Sequence, residues 1–357
     1  MPPRLKPSYW DSTHVQGVTA ALLSAVVLGL APIFGKQAML ANVPWQSVVM
    51  LRTVIAVATL WIAYALHKAW RPYFYIYPVG FVGCMLAGLI NGLGSLMYYN
   101  GLNRLDAALA QLLYTLYPLF LTLYSRLDGH PIPRFTLFRL ALAIFAVYLL
   151  KWTGTAQADW VGGLLMIGGG AMYALHLAVN QRVLYDVPAP TVTLYTLTAM
   201  AVTVAVAYGL SGSPALPATV AGWQPVLLLT AVTILSRLML FTGVKHLGGL
   251  QTALLGLSEL LITVLGALLL LGEQLTLTQW LGAALLAGSV LLVSRDKSLG
   301  GLPPPKPWLQ IFTAWFAALD PSANPSAAET HLPKPLPVPP LAKPAPAPPP
   351  SSSKRVD

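Results

Sequence analysis

Ten runs of about 20 mainly apolar residues follow one another along this chain, and that succession limits the fold more than any motif does. They fall near 17–38, 46–66, 79–99, 105–125, 135–151, 161–181, 190–210, 224–244, 249–271 and 278–294. Short polar or Gly/Pro turns separate them, such as LANVP at 40–44 and SGSPALPA at 211–218. Each run is long enough to cross a bilayer as a helix. The first is too long for a signal-peptide core and precedes no A-x-A cleavage pattern, so it is expected to be retained.

Composition supports a lipid solvent. Hydrophobic residues make up 56% of the 357 and charged residues 9%, with a mean hydropathy of +0.66, whereas a soluble domain carries about 25% charged residues. Such a chain lacks the polar groups to cover itself in water. The net charge of +10 lies in short clusters between the runs and in the tail, which fits membrane orientation rather than a nucleic-acid patch. With an inside N-terminus, the inner segments hold Arg4, Lys6, Lys68, Arg71, Arg126, Arg134, Arg182, Lys245, Arg295 and Lys297, and the outer ones hold only Lys36, Arg104 and Lys151. The positive-inside rule then predicts both termini in the cytoplasm and an even number of spans. Cys84 has no second cysteine to pair with, so a disulfide framework is excluded. The six histidines are scattered and no P-loop pattern occurs, so no metal, cofactor, enzymatic activity or ATP hydrolysis is expected.

The chain repeats itself. Residues 101–150 lie over 243–292 without a gap: Gly101 meets Gly243, Leu105 meets Leu247, Thr136 meets Thr278, and Leu149–Leu150 meet Leu291–Leu292. Five spans per repeat, an odd number, would insert the second copy in the opposite orientation, with a solute site near the midplane. The expected organisation is a cytoplasmic N-terminus (1–16), a first repeat (17–151), a second repeat (160–295) and a Pro-rich, disordered cytoplasmic tail (299–357).

In the second repeat, LSELLITVLGALLLLGEQLTLTQWLGAALLAGSVLL resembles the EamA-type ten-helix permeases of the drug/metabolite transporter superfamily. Glu259, Gly272, Glu273, Gln279 and Gly282 stand at that family's acidic, L-G-E and Q-x-x-G positions; Pro44 with Arg52 resembles its second helix, and Leu116–Phe120 with Pro118 its fourth. Leu260 replaces the usual proline, Pro131 stands opposite Glu273, and Leu140 opposite Gly282. The resemblance spans about residues 16–295. It implies an all-α integral membrane protein of ten helices in two inverted five-helix repeats. It further implies a secondary transporter in the plasma (inner) membrane that exports a small amino-acid-like or drug-like metabolite by alternating access. The Pro-rich tail leaves a second class open, a non-transporting membrane scaffold or sensor. Expected partners are membrane lipid and a small-molecule substrate, with no nucleic acid; a homodimer is left open.

Ionisable residues within spans usually face a cavity or a partner, because a charge at the bilayer centre costs at least about 2.5–3.5 kcal/mol. Glu259 lies about ten residues, or roughly 15 Å, into its helix, and Arg237 about seven residues, or roughly 10 Å, from the end of the preceding one. A short loop joins the two helices, so an Arg237–Glu259 bond is expected, either opened for coupling or kept as a clamp. Polar stripes at helical spacing mark candidate cavity faces. They are Asn91, Ser95 and Tyr98; Gln111, Tyr114 and Pro118; Tyr173, His176 and Asn180; Thr230, Thr233 and Arg237; and Thr252, Gly256, Glu259 and Thr263. Arg52 is a candidate gate that could instead snorkel. Gly88 and Gly92 form a G-x-x-x-G packing face, and Glu273, at a helix end, is expected to be structural.

Overall fold

The computed structural model describes residues 12–127, 159–256 and 258–274, with positions 276, 277, 280, 281, 284, 285 and 288 beyond them. The chain divides into Met1–Trp308, which holds every described element, and Leu309–Asp357, which lies outside the described residues. Every regular element described is helical: α1 (Ser12–Leu28), α2 (Ala31–Leu40), α3 (Trp45–Leu66), α4 (Pro78–Arg104), α5 (Ala107–Tyr114), α6 (Tyr117–Leu127), α7 (Trp160–Asp186), α8 (Ala189–Leu210), α9 (Val220–Leu247), α10 (Gly249–Leu255) and α11 (Ser258–Gly266). A 3₁₀ turn (Lys68–Phe74) links α3 to α4, and a π turn (Ala267–Leu271) continues α11.

Among the described residues eight helical stretches are long and apolar enough to cross a membrane. They match expected spans one to four and six to nine; the fifth (135–151) lies outside the described residues, as does most of the tenth (278–294). Local chemistry sets their ends. Proline occupies the first turn of α2, α4 and α8, where a missing N–H costs nothing. Asp159 and Thr219 cap α7 and α9 with side-chain oxygens. At the far end of α9, Gly248 adopts φ +85°, a conformation only glycine takes cheaply. The burial pattern is that of a lipid-facing bundle: Leu89, Leu93, Val202, Val206, Leu227 and Leu235 are exposed, while Asn91, Gln111, His176 and Asn180 are buried.

The second to fourth spans correspond to the seventh to ninth. The register that sets Gly101 over Gly243 also sets Pro78 over Val220, Ala107 over Gly249 and Tyr117 over Glu259. So α4 matches α9, α5 matches α10, and α6 matches α11 to within a residue or so at their starts. Spans α3 and α8 each run 22 residues and each begin after a proline, Pro44 and Pro188. Packing repeats the relation: the third span lies on the sixth and seventh as the eighth lies on the first and second. Close approach depends on missing side chains. A Cβ at Gly94 would meet Met172, one at Gly101 would meet Met166, and one at Gly88 would overlap the Thr196 carbonyl and Ala199 of α8. The G-x-x-x-G face therefore packs α4 against α8.

Candidate functional site

Three spans are interrupted, and the interruptions meet. In the fourth, Pro118 has no N–H to give the Tyr114 carbonyl, so α5 stops at Tyr114 and α6 resumes at Tyr117. In the first, Pro32 deprives Leu28 in the same way and the helix breaks at Gly29–Leu30. The ninth breaks after Leu255. In hydrocarbon, freed backbone groups must find partners within the protein, and here the breaks of the ninth and first spans are each capped from another span. Tyr117 Oη donates to the Ala253 carbonyl at 3.0 Å, and Thr263 Oγ1 donates to the Gly29 carbonyl at 2.7 Å. Gly256 makes the first contact possible, because a Cβ there would overlap Tyr117 Oη; a Cβ at Gly29 would meet Ile262 and the Glu259 carbonyl.

A cavity lies beside these breaks. Its wall draws on both repeats: Leu28, Ala31, Arg52, Asn91, Ser95, Tyr98, Tyr99 and Tyr114 from the first, Tyr173, Arg237 and Glu259 from the second, with Gly94 and Gly169 backbone between them. It is small, with room for a few waters.

The three ionisable groups are held by neutral partners. Glu259 Oε1 accepts from Gln111 Nε2 at 2.7 Å, and Gln111 Oε1 accepts from Tyr98 Oη at 3.0 Å. Arg237 reaches His176 Nε2 and Asn91 Oδ1, each at 3.4 Å, with its guanidinium 5.5 Å from the Tyr173 ring centroid. His176 Nδ1 lies 3.0 Å from the Ala87 carbonyl, which fixes Nδ1 as donor and leaves Nε2 to accept. Arg52 donates to Thr233 Oγ1 at 3.1 Å and to Ser95 Oγ, and its guanidinium stands 4.6 Å over Tyr99.

The expected Arg237–Glu259 bond is not made. Among the described residues the one ion pair is Arg104–Asp159, at 2.8 Å. The physical reason is the interruption of the ninth span. Its first piece, α10, packs on α9 as loop connectivity implies, but α11 packs on α1, α2 and α5 and carries Glu259 to Gln111. Arg52 does not snorkel either; it is 5% exposed and turned into the cavity.

Of the other candidates, Asn91, Ser95, Tyr114 and Tyr173 line the cavity, while Gln111, His176 and Thr233 stand behind it and bond its charged groups. Asn180 sits a turn from His176 and donates to its carbonyl at 3.0 Å. Thr263 and Pro118 belong to the helix interruptions. The stripes missed Tyr99 and Tyr117. Tyr99 falls one residue off the Asn91–Ser95–Tyr98 face, and Tyr117 sits in sequence that reads as ordinary aromatic packing; its register opposite Glu259 was the available signal.

At the end of the helices shared by Lys36, Asp159 and Glu273, a second set of polar contacts ties spans together. Glu273 accepts from the backbone N–H of Ala107 at 2.7 Å and Ala108 at 3.0 Å, which caps α5. Lys36 Nζ donates to the carbonyls of Leu102 at 3.0 Å and Leu105 at 2.7 Å, at the end of α4. The Arg104 guanidinium, with the backbone N–H groups of Gly162 and Val161, holds the Asp159 carboxyl below the usual carboxylate range.

The sequence profile of the EamA-like transporter family matches this chain twice, over residues 15–152 and 160–295. An uncharacterized transporter of Bacillus subtilis (strain 168), YcbK, is 20% identical over 276 residues, covering 74% of this chain and 88% of its own. An uncharacterized transporter of Archaeoglobus fulgidus is 26% identical over 296 residues, 80% of this chain and 99% of its own. One crystal structure shares the fold with a TM-score of 0.56 at 21% identity, over 82% of this chain and 99% of that one. With its all-helical, multi-pass membrane architecture, this chain belongs to the EamA-like transporter family.

Proposed function

We propose that this protein is a secondary transporter that exports a small metabolite, amino-acid-like or drug-like, across the plasma (inner) membrane by alternating access, with both termini in the cytoplasm. One observation carries the proposal: a buried cavity that draws on both repeats is lined by Arg52, Arg237 and Glu259 and borders interrupted helices at matching positions in the two halves. Charged groups at that depth are retained where a solute or ion passes, and interrupted helices at the repeat interface are where transporters of this plan place their sites. The basic residues Lys68, Arg71 and Lys245 at one end of the spans outweigh Lys36 and Arg104 at the other, which supports the orientation. Glu259 is the candidate coupling group, and Arg237 and Arg52 are the candidate solute contacts.

Counterflow in proteoliposomes tests this. Vesicles preloaded with an unlabelled amino-acid mixture should take up the radiolabelled mixture transiently and above the level of protein-free vesicles. Uptake equal to that of protein-free vesicles would remove the proposal.

A further inference from the structure

We infer that the cavity recognises its solute through a carboxylate held between Arg52 and Arg237. The inference rests on the transporter proposal above and goes further, because it fixes the chemical group that is bound.

Charge accounting comes first. Among the described residues the cavity lining holds two guanidinium groups and one carboxyl, and the bonds those three groups make are to neutral partners. Even with Glu259 ionised, one positive charge stays uncompensated in a low-dielectric interior, where an unpaired charge is costly. An anionic group on the solute offsets that charge where it lies. A cation would add to the excess.

Geometry comes next. Arg52 contacts Thr233, and Arg237 lies one turn further along the same helix, about 6 Å away. A solute between them meets both guanidinium groups. Arg52 has five N–H donors; the protein engages two of its nitrogens, and among the described residues its buried Nε–H has no partner. A buried donor without a partner in the protein calls for an acceptor from outside it, and a bound solute can supply one. The planar guanidinium edge matches a carboxylate in two parallel hydrogen bonds. Glu259, on the same wall, offers an acceptor for an ammonium where the solute has one.

Two deletion series decide the matter. The first is phenylalanine, phenylpropionate, phenethylammonium and phenethyl phosphate; the second is alanine, propionate, ethylammonium and ethyl phosphate. Thermal unfolding of the full-length wild-type protein in nanodiscs reports binding, since a ligand of the folded state raises Tm, and counterflow reports transport. The two carboxylate compounds of at least one series should raise Tm, and the ammonium and phosphate compounds of that series should not. Arg52→Gln and Arg237→Gln should each weaken the effect at least tenfold, while Arg104→Gln, at the distant Asp159 pair, should not. Should either variant fail to fold, the wild-type series still decides. An equal or larger shift with an ammonium or phosphate compound, no shift with any compound, or unchanged carboxylate binding by well-folded arginine variants overturns the inference. Binding of carboxylates without counterflow would instead refute transport and leave the site standing; counterflow of the ammonium compounds alone would do the opposite.

Discussion

The contact between the fourth and ninth spans makes a sharp prediction, because one hydroxyl serves two purposes there. Tyr117 Oη caps the buried Ala253 carbonyl at 3.0 Å and occupies the space beside Gly256 where a Cβ would fall. Tyr117→Phe strands that carbonyl inside the bundle, at an expected cost of about 1–3 kcal/mol. Gly256→Ala forces a methyl onto a hydroxyl that a rigid ring fixes in place, also about 1–3 kcal/mol. The double variant differs from both. With the hydroxyl absent the methyl keeps only its contacts with the Ala253 and Thr252 carbonyls, at 3.1 and 3.3 Å, and Gly256 has no left-handed φ that an alanine would strain. The two changes should therefore be strongly non-additive, with Gly256→Ala close to neutral in the Tyr117→Phe background and a coupling energy of about 1–3 kcal/mol. Equilibrium unfolding of the full-length protein in mixed micelles measures all three variants. Additivity within about 0.5 kcal/mol would refute the capping of the ninth span's break by Tyr117.

Three further expectations follow from the same contacts. Gly88→Ala drives a Cβ into the Thr196 carbonyl of α8 and should cost about 1–3 kcal/mol in the same unfolding assay; an unchanged midpoint would contradict the α4–α8 packing. Glu273→Ala removes the acceptor of two backbone N–H groups at the start of α5 and should destabilise by about 1–2 kcal/mol, with Glu273→Gln recovering part of the loss. Asp159, whose folded carboxyl titrates below its unfolded value of about 3.9, contributes stability above that value and loses it as pH falls through the folded value. Asp159→Asn should therefore lower Tm at neutral pH and lose its effect in acid, and an equal deficit at both would contradict the Arg104 bond.

Much of the fold could be read from apolar run lengths, because hydrocarbon thickness allows few alternatives. The eight described spans lie where those runs fall, and the prolines at 32, 44, 78 and 188 sit at helix starts, where the residue belongs. The one-sided polar stripes also brought most of the cavity wall into view, since 3.6-residue periodicity decides which side chains share a face. The partner of Glu259 was hidden for a definite reason. Loop connectivity argues that neighbouring helices pack along their whole length, and that holds for α10 but not for α11. Nothing between Gly249 and Gly266 resembles a proline break, and Gly256 reads as one small residue among many. The tie from Gln111 to Glu259 depends on two interruptions that face each other, and only tertiary structure brings them together. The register of the repeat held the clue, because it sets Gly256 opposite Tyr114, where the first repeat also breaks.

Glu259 is where the account is most exposed. Glutamine at this position keeps the side-chain length and an oxygen that can still accept from Gln111 Nε2, so the bundle should fold with an unfolding midpoint near that of the wild type. The titratable charge is gone. With an imposed pH gradient, proteoliposomes of the wild-type protein should accumulate the radiolabelled amino-acid mixture above equilibrium. Glu259→Gln vesicles should equilibrate it without accumulation, because exchange survives while coupling does not. Accumulation by Glu259→Gln to the wild-type level would contradict the assignment of Glu259 as the coupling group, and absence of accumulation by the wild type itself would contradict gradient-driven transport of such solutes.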